Sequence, residues 1–176
     1  MNYSFQIVPA ELSDADALAR LIDTVYQGLE NPSWFMPDDA AYIRKLMDPA
    51  RGRVWKAVEE KAGMPAAVFM LLFPGDSSEN LGDDTGLTDA EKAGVIHVES
   101  VAVLPEYRGC GLQCRMMQLG EAEARKGGFT HMLCTVHPEN RFSRNNMVKM
   151  GFHSVLTKEK YGGFLREVMM KKLVSE

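Results

Sequence analysis

Val95 to Gln118 reads VIHVESVAVLPEYRGCGLQCRMMQ. Val95 to Val103 is rich in β-branched residues and contains neither Gly nor Pro, which is the composition of a strand. Leu104-Pro105-Glu106 ends it, and Arg108-Gly109-Cys110-Gly111 makes a short turn with two glycines. Leu112, Met116, Leu119 and Gly120 then recur at helical spacing. A glycine-bearing turn that opens a helix presents unpaired backbone N–H groups at the positive end of the helix dipole, a ready site for phosphate. Arg108 adds a cation to it. Taken alone, the turn has two readings: an anion site, or a strand-to-helix connection that carries glycine for steric reasons only. The chain has no GxxxxGK[ST] and no GxGxxG followed by an acidic residue about 20 positions on, which excludes a P-loop and a dinucleotide fingerprint.

Composition sets the outer limits. A chain of 176 residues is long enough for one domain with a sizeable core. Its hydrophobic share of 45% and charged share of 25% are those of a soluble globular protein. Formal net charge is −4 and the sequence pI is near 5.6, which argues against a partner that is nucleic acid held by broad phosphate neutralisation. No apolar run approaches the ~20 residues of a membrane span, and MNYSFQIVPAEL lacks the basic-then-apolar pattern of a signal peptide. The three cysteines, Cys110, Cys114 and Cys134, form no CxxC pair, so a reduced, cytoplasmic protein without a metal site is expected.

Upstream, Phe5 to Val8 is a short β-prone segment, and Ser13 with Asp16 resembles a capping box for a helix over Asp14 to Tyr26. Leu18, Ile22 and Val25, with Leu21 beside them, form its apolar face. Asn31 to Pro37 is a loop carrying Trp34 and Phe35, either a hydrophobic plug or a pocket wall. A second helix is predicted to start at Pro37 and to carry Tyr42, Ile43, Leu46 and Met47. Arg53 to Glu59 and Met64 to Phe73 read as strands joined by the turn Glu60 to Gly63. The second of them is apolar enough to be buried on both faces. Pro74 to Gly94 is polar and acidic without an EF-hand pattern, and is expected to be a long solvated loop with a helical turn near Thr88 to Lys92.

Downstream, Thr130 to Val136 is an apolar strand, His137-Pro138-Glu139-Asn140 breaks it, and Asn140 to Met150 reads as a short helix stopped by Gly151. Phe152 to Lys160 and Phe164 to Leu173 form a final β pair around Tyr161-Gly162-Gly163. With no repeat or linker, residues 1–176 are expected to form a single domain of the α/β class.

VESVAVLPEYRGCGLQCRMM, then TVHPEN, then KMGF resembles the GNAT superfamily of acetyl-CoA-dependent N-acetyltransferases. The element order agrees along essentially the whole chain, and the specific motifs cover about Val95 to Phe152. The resemblance implies a mixed, mostly antiparallel sheet flanked by helices, with splayed central strands. It implies that the backbone of Val101, Ala102 and Val103 pairs with the pantetheine arm of acetyl-CoA. Arg108, Gly109, Cys110, Gly111, Leu112 and Gln113 would wrap the pyrophosphate, mostly through N–H groups. Asn140 would hydrogen-bond the pantetheine, with Ser143 and Asn146 near the cofactor tail; no metal enters the scheme.

Two positions depart from the family pattern. Its R/Q-x-x-G-x-G/A turn ends here in Gln113, whose N–H can still donate. Many members carry a Tyr four residues before the Gly of the terminal GF pair, where it protonates the leaving thiolate; this chain has Met147. Either another group substitutes, with Tyr161 the candidate, or the thiolate leaves without help. A thiol pKa of roughly 8.5 makes unassisted departure tolerable.

Strand alternation places His97, Glu99, Val101 and Val103 on one face and Ile96, Val98, Ser100 and Ala102 on the other. Glu99 occupies a position where several members place a catalytic Glu. It is read either as the general base or as a structural carboxylate paired with a cation. His97 shares the work or only hydrogen-bonds it, while His131, His137 and His153 read as packing residues and the methionines as core. The expected activity is direct acetyl transfer from acetyl-CoA to a primary amine of a small molecule or peptide, with a backbone N–H of the central strand stabilising the oxyanion. A coenzyme A-binding regulatory module without turnover is the alternative. No nucleic acid or membrane partner is expected, and the chain is expected to be a monomer or homodimer.

Overall fold

The computed structural model describes residues 3–173. In chain order the elements are β1 (Phe5–Pro9), α1 (Ala15–Gln27), α2 (Ala40–Leu46), β2 (Gly52–Glu59), β3 (Met64–Leu72), α3 (Asp89–Lys92), β4 (Val95–Val103), α4 (Leu112–Lys126), β5 (His131–Val136), α5 (Arg141–Lys149), β6 (His153–Lys160) and β7 (Phe164–Lys172). The strands form a mixed seven-stranded sheet in the order β1-β2-β3-β4-β5-β7-β6, accompanied by the helices. The β1–β2, β2–β3, β5–β7 and β6–β7 pairs are antiparallel and β4–β5 is parallel. Residue contacts group the chain into two compact units, with Glu99 beginning the part of β4 that belongs to the first.

The first unit comprises residues up to Pro32, Met36–Leu72 and Glu99–Leu119. Leu18, Leu21, Ile22 and Val25 are buried along α1, as the helical spacing predicts. The cap differs from the expected Ser13–Asp16 box. A capping box of Glu11 with Asp14 instead opens a short 3-10 turn, Leu12–Asp14, that leads into α1, while Asp14 also pairs with Lys56 at 2.6 Å and Asp16 pairs with Arg44. The second helix starts at Ala40 and not at Pro37, because the Asp39 carboxylate accepts the Tyr42 N–H at 2.7 Å and so supplies the cap. In β3, Ala66 to Leu71 are all buried, as expected of a strand covered on both faces.

The second unit comprises Ser33–Phe35, Phe73–Val98 and the chain from Gly120 onward. Leu81, Val95, Leu133 and Val168 form a core cluster in it. The parallel β4–β5 ladder covers only Val95 to His97 against His131 to Leu133, although β5 continues to Val136. Residues 74–94 are not the freely solvated loop expected from their composition. Leu81 is buried, and the Asn80 side chain donates to the carbonyls of Gly75 and Lys92 while accepting from the Gly82 N–H. Asp84 accepts from both Lys158 and Lys160 of β6. A few buried groups thus strap a polar segment to the sheet, and the expected helical turn is α3, capped by Thr88.

Candidate active site

In the first unit the end of β4 keeps the alternation that the sequence predicts: Ser100 and Ala102 are buried, whereas Glu99, Val101 and Val103 are half-buried. One strand face therefore remains partly open. Glu99 lies on that face, and its Oε1 accepts a hydrogen bond of 2.8 Å from the Tyr42 hydroxyl. The next residue, Ser100, donates to Asp38 Oδ2 at 2.6 Å. Burial pushes the Asp38 carboxyl up to about 6, against the opposing hydrogen bond from Ser100 and with help from neighbouring Asp39. Tyr42 and Asp38 were not singled out by sequence reasoning. The signal available was Asp39 as a cap residue, which sets the start of α2 but says nothing about which strand the helix meets.

Beyond Leu104, whose N–H donates to Ala66 O at 3.0 Å, the chain turns through Pro105 to Tyr107 into Arg108. Gly109 and Gly111 have φ of +80° and +73°, values that side-chain-bearing residues rarely adopt. A Cβ on either glycine would meet nothing within 4 Å. Among the described residues, the N–H groups of Gly109, Cys110 and Gly111 reach no acceptor, and the first turn of α4 follows directly. Arg108, Gly109, Cys110 and Gly111 are exposed, Gln113 is half-buried and Leu112 is buried beneath them as an anchor. A row of unpaired donors at the start of a 15-residue helix, with open space before it, suits a phosphate.

The fold has counterparts in known proteins. The model of the acetyltransferase (GNAT) family matches residues 17–152. The chain belongs to the GNAT acetyltransferase family. The ribosomal-protein-S18-alanine N-acetyltransferase of Escherichia coli shares the fold at TM-score 0.72 and 14% identity, with 98% of this chain and 96% of that chain covered. The GCN5-related N-acetyltransferase of Kribbella flavida gives 0.69 and 19%, covering 96% and 98%. The protein yncA of Salmonella typhimurium, in a structure with its cofactor acetyl-CoA, gives 0.68 and 19%, covering 98% and 96%. No curated protein matches the sequence.

The second unit holds the remaining residues that the GNAT resemblance singled out. His97 is buried, and its Nε2 accepts the Leu81 N–H at 3.0 Å, which places the ring proton on Nδ1. Burial, assisted by the Lys160 charge, lowers its pKa to about 3, so it is a neutral anchor for the strapped 74–94 segment. Asn140 caps α5 by accepting the Ser143 N–H at 3.1 Å, and Ser143 and Asn146 are half-buried on that helix. Met147 is buried in the position where many GNAT members carry Tyr. Tyr161 is half exposed, has a φ of +53°, and holds its hydroxyl 3.4 Å from Thr135 Oγ1. Among the described residues there is no cluster of side chains that would hold a metal, and no helix long and apolar enough to cross a membrane.

Proposed function

We propose that the chain is a single acetyl-CoA-dependent N-acetyltransferase domain that moves an acetyl group directly to a primary amine of a small molecule or peptide. The observation that carries the reading is Glu99, a carboxylate on the half-open face of an apolar strand, oriented by the Tyr42 phenol at 2.8 Å. A carboxylate so placed accepts a proton from an ammonium, directly or through one water, and leaves the amine nucleophilic.

The turn from Arg108 to Gln113 fits a coenzyme A pyrophosphate. The N–H groups of Gly109, Cys110 and Gly111 are unpaired, the glycine Cβ positions are open, and the α4 dipole favours negative charge. Acetyl-CoA supplies the activated acetyl group. The backbone of Val101, Ala102 and Val103 aligns the pantetheine arm and offers an N–H to the carbonyl oxygen, and Asn140, Ser143 and Asn146 serve the cofactor from α5. With Met147 buried and apolar, the thiolate departs unassisted or takes its proton from Tyr161, a half-exposed residue.

Release of free thiol from acetyl-CoA across a panel of amines tests the proposal. Amine-dependent release is the expected result. Acetyl-CoA binding without release for every amine favours a non-catalytic acyl-CoA-binding module, the reading to which the buried Met147 lends weight.

A further inference from the structure

Arg166 lies on β7 with 3% of its surface exposed. Its Nη1 donates to Leu165 O at 2.9 Å, and its guanidinium carbon sits 5.4 Å from the centroid of the Phe164 ring. Its Nη2 is buried without a hydrogen-bond partner, and no carboxylate among the described residues pairs with it. The nearest acidic residue in sequence, Glu167, is taken by Arg144 at 2.8 Å. A buried cation without a counter-charge is costly, and native proteins rarely keep one without a use.

The sheet register shows what else shares this face. Lys158 is the cross-strand partner of Arg166, and Lys160 that of Phe164. Both lysines are spent on Asp84, which pairs with them and not with Arg166. Thr135 is the cross-strand partner of Val168 and therefore stands on the same face, with its Oγ1 beside the Tyr161 hydroxyl. The same compact unit also buries the Trp34 Nε1–H without an acceptor. Among the described residues, the buried side-chain atoms of this unit that lack a partner are both donors.

We propose that Arg166, with Thr135 and Tyr161, forms a carboxylate-binding subsite, and that the acceptor is an amine that also carries a carboxylate, of the amino-acid class. The inference rests on the acetyltransferase reading above. Nη2 offers two N–H groups to a carboxylate oxygen, and the hydroxyls of Thr135 and Tyr161 offer further donors. An analogue that lacks the carboxylate leaves the guanidinium unpaired, which is how a buried polar site achieves strong discrimination. The ligand enters at the Tyr161–Gly163 turn. Its three residues all hold positive φ, and neither Gly162 nor Gly163 has a neighbour within 4 Å of a Cβ position, so this cover yields with little loss of packing.

The test compares L-amino acids with their α-amides as probes of the full chain, by thermal shift and by thiol release with acetyl-CoA saturating. The expected result is that at least one amino acid raises the melting temperature and is acetylated with kcat/KM about 100-fold above that of its amide. Arg166→Met should abolish both preferences, keep the KM for acetyl-CoA, and melt without ligand no lower than the wild type, because an uncompensated buried cation has been removed. Thr135→Val leaves the charge in place and should weaken the preference part-way; it is read instead should Arg166→Met fail to fold. Equal treatment of acids and amides, or a preference that survives in both variants, overturns the subsite. Thiol release at equal rates for acid and amide leaves the acetyltransferase reading standing without the subsite. Arg166-dependent carboxylate binding without any thiol release keeps the subsite and removes the acetyltransferase reading.

Discussion

The Tyr42 hydroxyl donates a hydrogen bond of 2.8 Å to Glu99 Oε1 across 57 positions of sequence. Asp38, four residues before Tyr42, accepts from Ser100, the residue after Glu99. The start of α2 is thereby fastened to two successive residues of β4. This holds the proposed base in one orientation while its strand face stays half open.

Tyr42→Phe keeps the ring and removes only the donor. A hydrogen bond to a charged group is worth about 1.5–3 kcal/mol, and each 1.4 kcal/mol is roughly tenfold. Turnover is expected to fall about tenfold while the KM for acetyl-CoA stays unchanged. Steady-state kinetics decide it; unchanged turnover would remove Tyr42 from the positioning of Glu99.

Glu99→Gln keeps the shape of the side chain and can still accept from Tyr42, but takes no proton at neutral pH. An alkylammonium with a pKa of roughly 10.4 is almost fully protonated at neutral pH. Turnover near pH 7 should fall by about 10²–10⁴ and recover in part as pH rises and solvent frees the amine, with acetyl-CoA affinity preserved. A pH–rate profile parallel to the wild type would make Glu99 a structural carboxylate.

Gly111→Glu places a bulky negative side chain in the open space before α4 and should abolish acetyl-CoA binding. The φ of +73° adds a strain of about 1–2 kcal/mol, visible in the melting curve. Gly111→Asn separates the two effects, since Asn tolerates this conformation and carries no charge. Calorimetric titration should show binding lost in Gly111→Glu and weakened only modestly in Gly111→Asn. Full affinity in a folded Gly111→Glu protein would place the pyrophosphate elsewhere.

Asp38 makes stability depend on pH. Its folded pKa of about 6 exceeds the ordinary value of 3.8. Between those values the folded state holds more protons than the unfolded state, so this group's contribution falls as pH rises through the window and is flat above it. Asp38→Asn can still accept from Ser100 and carries no charge. It should therefore melt higher than the wild type at pH 8, with the advantage shrinking towards pH 4. An advantage of equal size at both pH values would refute the assignment.

The order of elements was legible in the sequence because each depends on local periodicity and local stops. Val95–Val103 was read with its observed bounds from β-branched composition alone. The helix that opens after Gly111 followed from the turn glycines, and its unpaired N–H groups from the geometry of any helix start. The cap of α1 departs from the local pattern because Asp16 pairs with Arg44 and Asp14 with Lys56, both remote in sequence. The polar composition of the 74–94 segment predicts a solvated loop, whereas its few buried contacts, Leu81 with His97 among them, set its position.

By itself, then, the sequence determined the strand–turn–helix with its phosphate-suited donors and the alternation that puts Glu99 on a chosen face of β4, since both follow from backbone geometry over a few residues. Only the tertiary structure decided that Tyr42 orients Glu99, that His97 is consumed by the Leu81 N–H, and that Arg166 is buried without a counter-charge. Those outcomes depend on which side chains the sheet register and helix docking bring within 3 Å or leave alone, and no local pattern encodes the partners of a residue dozens of positions away.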